Sequence, residues 1–203
     1  MKLLKAMATI ASFTMISRIA GMVRDMLTAS YLGAGPVSDA FFVALKLPNF
    51  FRRVAAEGAF SVSFIPLYAK IRKEDGDLAA AAFSGNVLSL MTVILSGFTA
   101  LVLMGMPWII HVIAPGFADG TERYNLAVSM TRLTFPYLIL MSATALFGGM
   151  LNTHHRFAPF AAAPIVFNLT LIACVVVLSR FFPTAGHAMA VGVTVSGVLQ
   201  MAM

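Results

Sequence analysis

Residues Leu78 to Ala118, LAAAAFSGNVLSLMTVILSGFTALVLMGMPWIIHVIAPGFA, contain no Asp, Glu, Lys or Arg. A run of roughly 18 apolar residues is already enough to cross a bilayer as a helix. Pro107, Pro115 and Gly116 break the second half of this block. The reading is therefore a membrane helix followed by an interfacial connection over Trp108–Gly120, with the Trp108 indole at headgroup level. A second uncharged block runs from Phe157 to Ser179. The chain as a whole is 60% hydrophobic and 11% charged, where a soluble domain carries about 25% charged residues. The fold class is an all-α polytopic membrane protein.

Outward from these blocks, six membrane segments fit over residues 1–203: about 6–32, 37–66, 79–106, 125–151, 158–180 and 185–203. Gly33, Gly35 and Pro36 make the first turn, and Lys70 to Asp77 a short charged loop. Asn152 to Arg156 and Pro183 to Gly186 form the later loops. With the N-terminus inside, the cytoplasmic side holds Lys2, Lys5, Lys70, Arg72, Lys73 and Arg156, and the outer side Arg123 and Arg180. That bias puts both termini of the six-span chain in the cytoplasm. Lys2 and Lys5 before an apolar stretch resemble a signal peptide, but Arg18, Arg24 and Asp25 follow without a small-residue cleavage site, so the segment reads as an uncleaved first helix. The last segment stays apolar to Met203 with no polar flank, and we expect the chain to be truncated there.

The charges inside these segments carry the functional information. On the first helix Thr14, Ser17, Arg18, Gly21, Arg24, Asp25 and Thr28 share roughly 120° of arc, opposite Ile16, Ala20, Val23 and Leu27. One face should meet lipid or packed protein and the other water or a polar partner. On the second helix Asp39, Lys46, Asn49, Arg53 and Glu57 share roughly 80°, with Arg52 about 100° from Arg53 and a kink expected at Pro48. Arg53 and Glu57 are spaced to pair, as is Asp25 with a neighbouring arginine. A charge at the bilayer centre costs about 2.5–3.5 kcal/mol on insertion scales. Internal pairing cannot absorb the whole set, because Arg18, Arg24, Lys46, Arg52 and Arg53 face only Asp25, Asp39 and Glu57. The surplus points to a water-filled cavity that receives an anion. Arginine forks match phosphate bidentately, so a phosphate or pyrophosphate is the expected guest.

The formal charge of +6 does not indicate nucleic acid, because the basic residues sit beside or inside apolar blocks. Cys174, the single cysteine, excludes a disulfide framework within the chain and reads as a small packing residue. His154 and His155 read as solvated loop and His111 as interfacial. Arg132 and Pro136 line a cavity or snorkel with equal weight. Ala188, Gly192 and Ser196 form a small-residue packing face. Asn168-Leu-Thr170 matches a glycosylation sequon inside a span, where it carries no meaning. There is no HExxH, GxSxG or Walker loop and no carboxylate cluster for a divalent metal, so we expect neither an enzyme nor a cofactor or metal.

The stretches SRIAGMVRD (17–25), DAFFVALKLPN (39–49) and RRVAAEGAFS (52–61), supported by APGFA (114–118), Leu151-Asn-Thr153 and Arg156-Phe157, are similar to the MurJ/MviN family of lipid II flippases. The resemblance covers the whole chain. It implies membership of the multidrug/oligosaccharidyl-lipid/polysaccharide exporter superfamily, with fourteen helices in two six-helix lobes and two more bounding a lipid-tail groove. It implies a multi-pass protein of the bacterial inner membrane that moves lipid II, an undecaprenyl-pyrophosphate-linked precursor of peptidoglycan, between leaflets. The family's essential cavity arginines fall on Arg18, Arg24 and Arg52, an important aspartate and glutamate on Asp39 and Glu57, and cavity positions on Asn49 and Ser17. The resemblance extends only to the first lobe. The C-terminal lobe, its arginine and the tail groove lie outside this sequence. The partners so implied are lipid II, membrane lipids and the missing lobe. Two other readings compete. A related exporter of a drug or another polyprenyl-linked glycan is disfavoured, in the drug case, by the cationic surplus. A non-transporting membrane scaffold requires every intramembrane charge to be paired.

Overall fold

The computed structural model describes the backbone of residues 2–54, 60–154 and 156–203, and the side chains of 11–50, 62–154 and 156–203. Among the described residues the secondary structure is helical, with no strand. The first helix, α1, spans Lys2–Leu32. Gly33 then takes a φ of 64°, a left-handed conformation that costs glycine nothing, and turns the chain into α2, Pro36–Val54. Pro48 lies inside α2 without ending it. After residues outside the description, α3 spans Phe60–Asp75. Helical structure thus extends past residue 66, through most of the segment read as a charged loop. The Lys70–Glu74 pair at 4.0 Å is the i,i+4 arrangement that supports such an exposed turn. The reversal is left to Gly76, at a φ of 91°.

Next come α4, Asp77–Met104, and the short α5, Met106–Ile113, which carries an exposed Trp108. Then α6, Glu122–Thr134, and α7, Tyr137–Thr153, meet at Phe135-Pro136. α8, Ala158–Ala173, continues as a π turn over Cys174–Leu178 and a 3-10 turn over Ser179–Phe181. α9, Ala185–Ala202, closes the described chain. Four helical stretches among the described residues are long and apolar enough to cross a membrane: Asp77–Met104, Glu122–Thr153, Ala158–Phe181 and Ala185–Ala202.

α9 runs among α6, α7 and α8, while α2 lies along α6 and α1 along α8. The main core joins Phe41 of α2, Met106 and Ile110 of α5, Met130 of α6, Leu138 of α7, Leu171 of α8, and Met189 and Val193 of α9. Hydroxyls bind helix to helix: Thr134 donates to the Ala44 carbonyl at 3.0 Å and Thr194 to the Leu133 carbonyl at 2.6 Å. Ala188, Gly192 and Ser196 are all buried on α9, and Cys174 is buried against Gly192. A second cluster, Phe64, Tyr68, Ala80 and Leu146, seats α3 on α4 and α7.

The outer face of α4 is apolar. On α4 Leu78, Leu90, Val93, Ile94, Leu101 and Met104 are exposed, and only 11% of its most apolar stretch is buried. Such a surface is unfavourable in water and matched to hydrocarbon.

Candidate functional site

The described part of the site begins where α1 meets α8. Ser17, Gly21, Arg24 and Thr28 recur at i, i+4, i+7 and i+11, so they stack on one helix face. Each is partly or fully buried. Gly21 faces α8, where an added Cβ would make ordinary contact at 3.5 Å from the Asn168 amide nitrogen. Asn168, only 6% exposed, uses both halves of its amide. Its Nδ2 donates to the Ser17 carbonyl at 3.0 Å, and its Oδ1 accepts from Arg24 Nη1 at 2.9 Å. Arg24 Nε and Nη2 both donate to Asp25 Oδ1, at 3.1 and 2.7 Å. The guanidinium carbon lies 5.8 Å from the Phe167 ring centre, within cation–π range. Thr28 ties down the backbone beneath, donating to the Arg24 carbonyl at 2.7 Å.

A guanidinium has five N–H donors. Asp25 and Asn168 engage three of them, leaving one on Nη1 and one on Nη2 among the described residues. Arg24 is therefore fixed in place and still able to donate to an incoming acceptor.

The polar arc of α1 is divided. Half of it packs on α8, while Arg18 and Asp25 at its edge are exposed. The exposed apolar residues Ile16, Ile19, Met22, Val23 and Met26 occupy the opposite side. The sequence reading expected a polar partner or water along the whole arc. The structure puts a polar partner, Asn168, within the protein itself. The signal that could have found it is the lone amide in the uncharged 157–179 block, since a buried amide needs hydrogen-bond partners.

On α2 the face bearing Ala40, Phe41, Val43, Ala44 and Leu47 is buried, and Lys46 and Asn49 project from the exposed side. Asp39 is half-buried and pairs with Arg123 of α6 at 3.3 Å. The side chains of Arg52 and Arg53, and Glu57 altogether, lie outside the described residues, as does the expected Arg53–Glu57 pair. Arg18 and Lys46 form no ion pair among the described residues, while Arg24 and Arg123 do. Arg132 is also exposed.

Two further polar groupings lie at opposite ends of the helices. At the end where α1 turns into α2, His111 meets Asp119 at 2.8 Å, and the Tyr124 hydroxyl donates to the Pro107 carbonyl at 3.1 Å. At the other end Arg72 bridges Asp77 at 2.7 Å and the Thr153 carbonyl at 3.2 Å, and the Tyr68 hydroxyl lies 3.4 Å from His154 Nε2. His155 lies outside the description. No group of His, Cys, Asp and Glu among the described residues is arranged to hold a metal ion.

The lipid II flippase MurJ family model matches residues 28–203. Arg18, Arg24 and Asp25 precede that match, but they fall within the alignments to relatives. The probable lipid II flippase MurJ of Rhizobium tropici is 41% identical over 207 residues, covering 100% of this chain and 39% of that protein. The lipid II flippase MurJ of Burkholderia cenocepacia is 36% identical over 98% of this chain and 39% of its own length. The chain thus spans about two fifths of the length of the curated relatives it matches. Among solved structures, a lipid II flippase MurJ in an inward closed conformation superposes with a TM-score of 0.80 at 28% identity, over 95% of this chain and 40% of that one. A MOP superfamily transporter from Pyrococcus furiosus gives 0.73 at 16% identity, over 98% of this chain and 43% of that one, a likeness of fold alone. With its family-model match over residues 28–203 and a 41% identity that runs along all of its own length, the chain belongs to the lipid II flippase MurJ family.

Proposed function

We propose that this chain is the N-terminal six-helix lobe of a fourteen-helix lipid II flippase of the bacterial inner membrane, with its N-terminus in the cytoplasm. The observation that carries the reading is electrostatic. Arg18 and Lys46 stand exposed without an ion pair among the described residues, within the apolar segments of α1 and α2. A scaffold would pair such charges, because an unpaired charge in the membrane is costly. A cavity for an anion uses them.

In this reading Arg18, Arg24 and Arg52 hold the pyrophosphate of lipid II in an inward-open cavity while the prenyl tail stays in lipid. Ser17, Asn49, Asp39 and Glu57 line or balance that cavity. Rocking of this lobe against the C-terminal lobe then opens the head group to the outer side. Arg24 suits the task because Asp25 and Asn168 fix it and still leave a donor on each terminal nitrogen. The pairs at the two helix ends fit the proposed orientation. Asp39–Arg123 joins two segments assigned to the outer side, and Arg72–Thr153 joins two assigned to the cytoplasm.

Complementation tests the reading. The full-length gene should restore growth of cells depleted of their flippase, and this segment alone should not. Failure of a well-expressed full-length protein would overturn it.

A further inference from the structure

We infer that Asn168 is a positioning residue for Arg24, setting the direction in which the arginine presents its remaining donors; the inference rests on the pyrophosphate-binding role proposed above. Asn168 stands on α8, 144 residues along the chain from its partner. Its amide is held from both ends: Nδ2 on the Ser17 carbonyl at 3.0 Å, and Oδ1 on Arg24 Nη1 at 2.9 Å. An amide fixed by one bond to the backbone has little freedom in the other, so it dictates where Nη1 points. Asp25 cannot do this alone. It is exposed, with 68% of its side chain accessible, and it grips only the Nε and Nη2 side of the guanidinium. Phe167, the neighbour of Asn168 on α8, limits the remaining tilt from its position 5.8 Å away. The result is an arginine clamped on two edges by one exposed carboxylate and one buried amide.

The choice of an amide has chemical sense. A carboxylate at this place would add a second negative charge to Arg24 and weaken its attraction for an anion. An amide accepts the N–H and leaves the positive charge uncancelled. Asn168 is 6% exposed, so it acts through Arg24 and not by touching a substrate.

The test is a double-mutant cycle on the purified full-length protein, with inorganic pyrophosphate as the probe. Wild type, Asn168→Ala, Arg24→Ala and the double variant are compared by calorimetric titration and by melting temperature. Asn168→Ala should weaken pyrophosphate binding about tenfold, the effect of losing a hydrogen bond to a charged group. In the Arg24→Ala background the same change should cost no further affinity. A residue that merely pins α1 to α8 would lower affinity by the same factor in both backgrounds, and that result overturns the inference. So does wild-type affinity in Asn168→Ala. Should Asn168→Ala fail to fold, Asn168→Gln carries the same comparison, its displaced amide costing affinity only where Arg24 is present. If the wild-type protein binds no pyrophosphate, or Arg24→Ala binds it undiminished, the substrate reading falls and the inference falls with it; binding that needs Arg24 but is unchanged in Asn168→Ala rejects the inference alone.

Discussion

Replacing Gly197 by alanine tests the packing of α9 on α7 with a control built into the same protein. A Cβ at Gly197 would lie 2.8 Å from Tyr137 Cδ2, 2.9 Å from Leu140 Cβ and 3.0 Å from Leu140 Cδ1, where ordinary contact begins at 3.4 Å. Leu140 Cβ is tied to its backbone and cannot swing aside, so α9 must retreat by about 0.5 Å, and close-packed interiors resist such shifts. Overpacking of this kind costs about 1–3 kcal/mol, against a helix-propensity gain of up to about 1 kcal/mol. The Tyr137 to Gln200 hydrogen bond, already 3.4 Å, sits about one turn away and would lengthen further. Gly97 on α4 has nothing within 4 Å of a built Cβ. Gly97→Ala therefore keeps the propensity gain without the clash, and the two variants should differ by about 1–3 kcal/mol. Thermal unfolding in detergent compares them. Gly197→Ala should melt at least about 2 °C below Gly97→Ala. Equal melting temperatures, or a higher one for Gly197→Ala, would refute the packing described here.

Other outcomes follow from the ion pairs and the loops. Arg123→Ala should lower stability by less than about 1 kcal/mol, because the Asp39–Arg123 pair is half exposed; a larger loss in unfolding experiments would contradict this. Single cysteines at Lys73 and His154 should resist an impermeant thiol reagent added to intact spheroplasts, and a cysteine at Thr121 should react; the reverse pattern overturns the orientation. Arg24→Ala combined with Asp25→Ala should fail to restore export at normal protein levels, since Asp25 is exposed and Arg24 is proposed to hold the substrate. Restored export would reduce Arg24 to a counterion.

The uncharged blocks made the helices of α4 and α8 legible, because membrane length and the absence of charge are local properties of the chain. That Ser17, Gly21, Arg24 and Thr28 share one face of α1 was legible for the same reason, since helical spacing is local too. What escaped were contacts between distant positions. Asn168 looked like an incidental sequon, since nothing near it in sequence announces that Arg24 and Ser17 lie opposite. Asp39 was counted among charges of the second helix, while its partner Arg123 was assigned to a loop. The extension of α3 past residue 66 escaped because hydropathy marks where apolar character stops, and a charged helix continues beyond that point when i,i+4 pairs such as Lys70–Glu74 support it.

If, as proposed, Arg18, Arg24 and Arg52 bind pyrophosphate by geometry as well as by charge, the leaflet accessibility of lipid II in flippase-depleted cells carrying full-length variants will show it. Arg18→Ala, Arg24→Ala and Arg52→Ala should each abolish or badly impair export. The matching lysine variants should retain part of it, because a point cation attracts phosphate but lacks the fork. Normal export by the alanine variants would contradict the account.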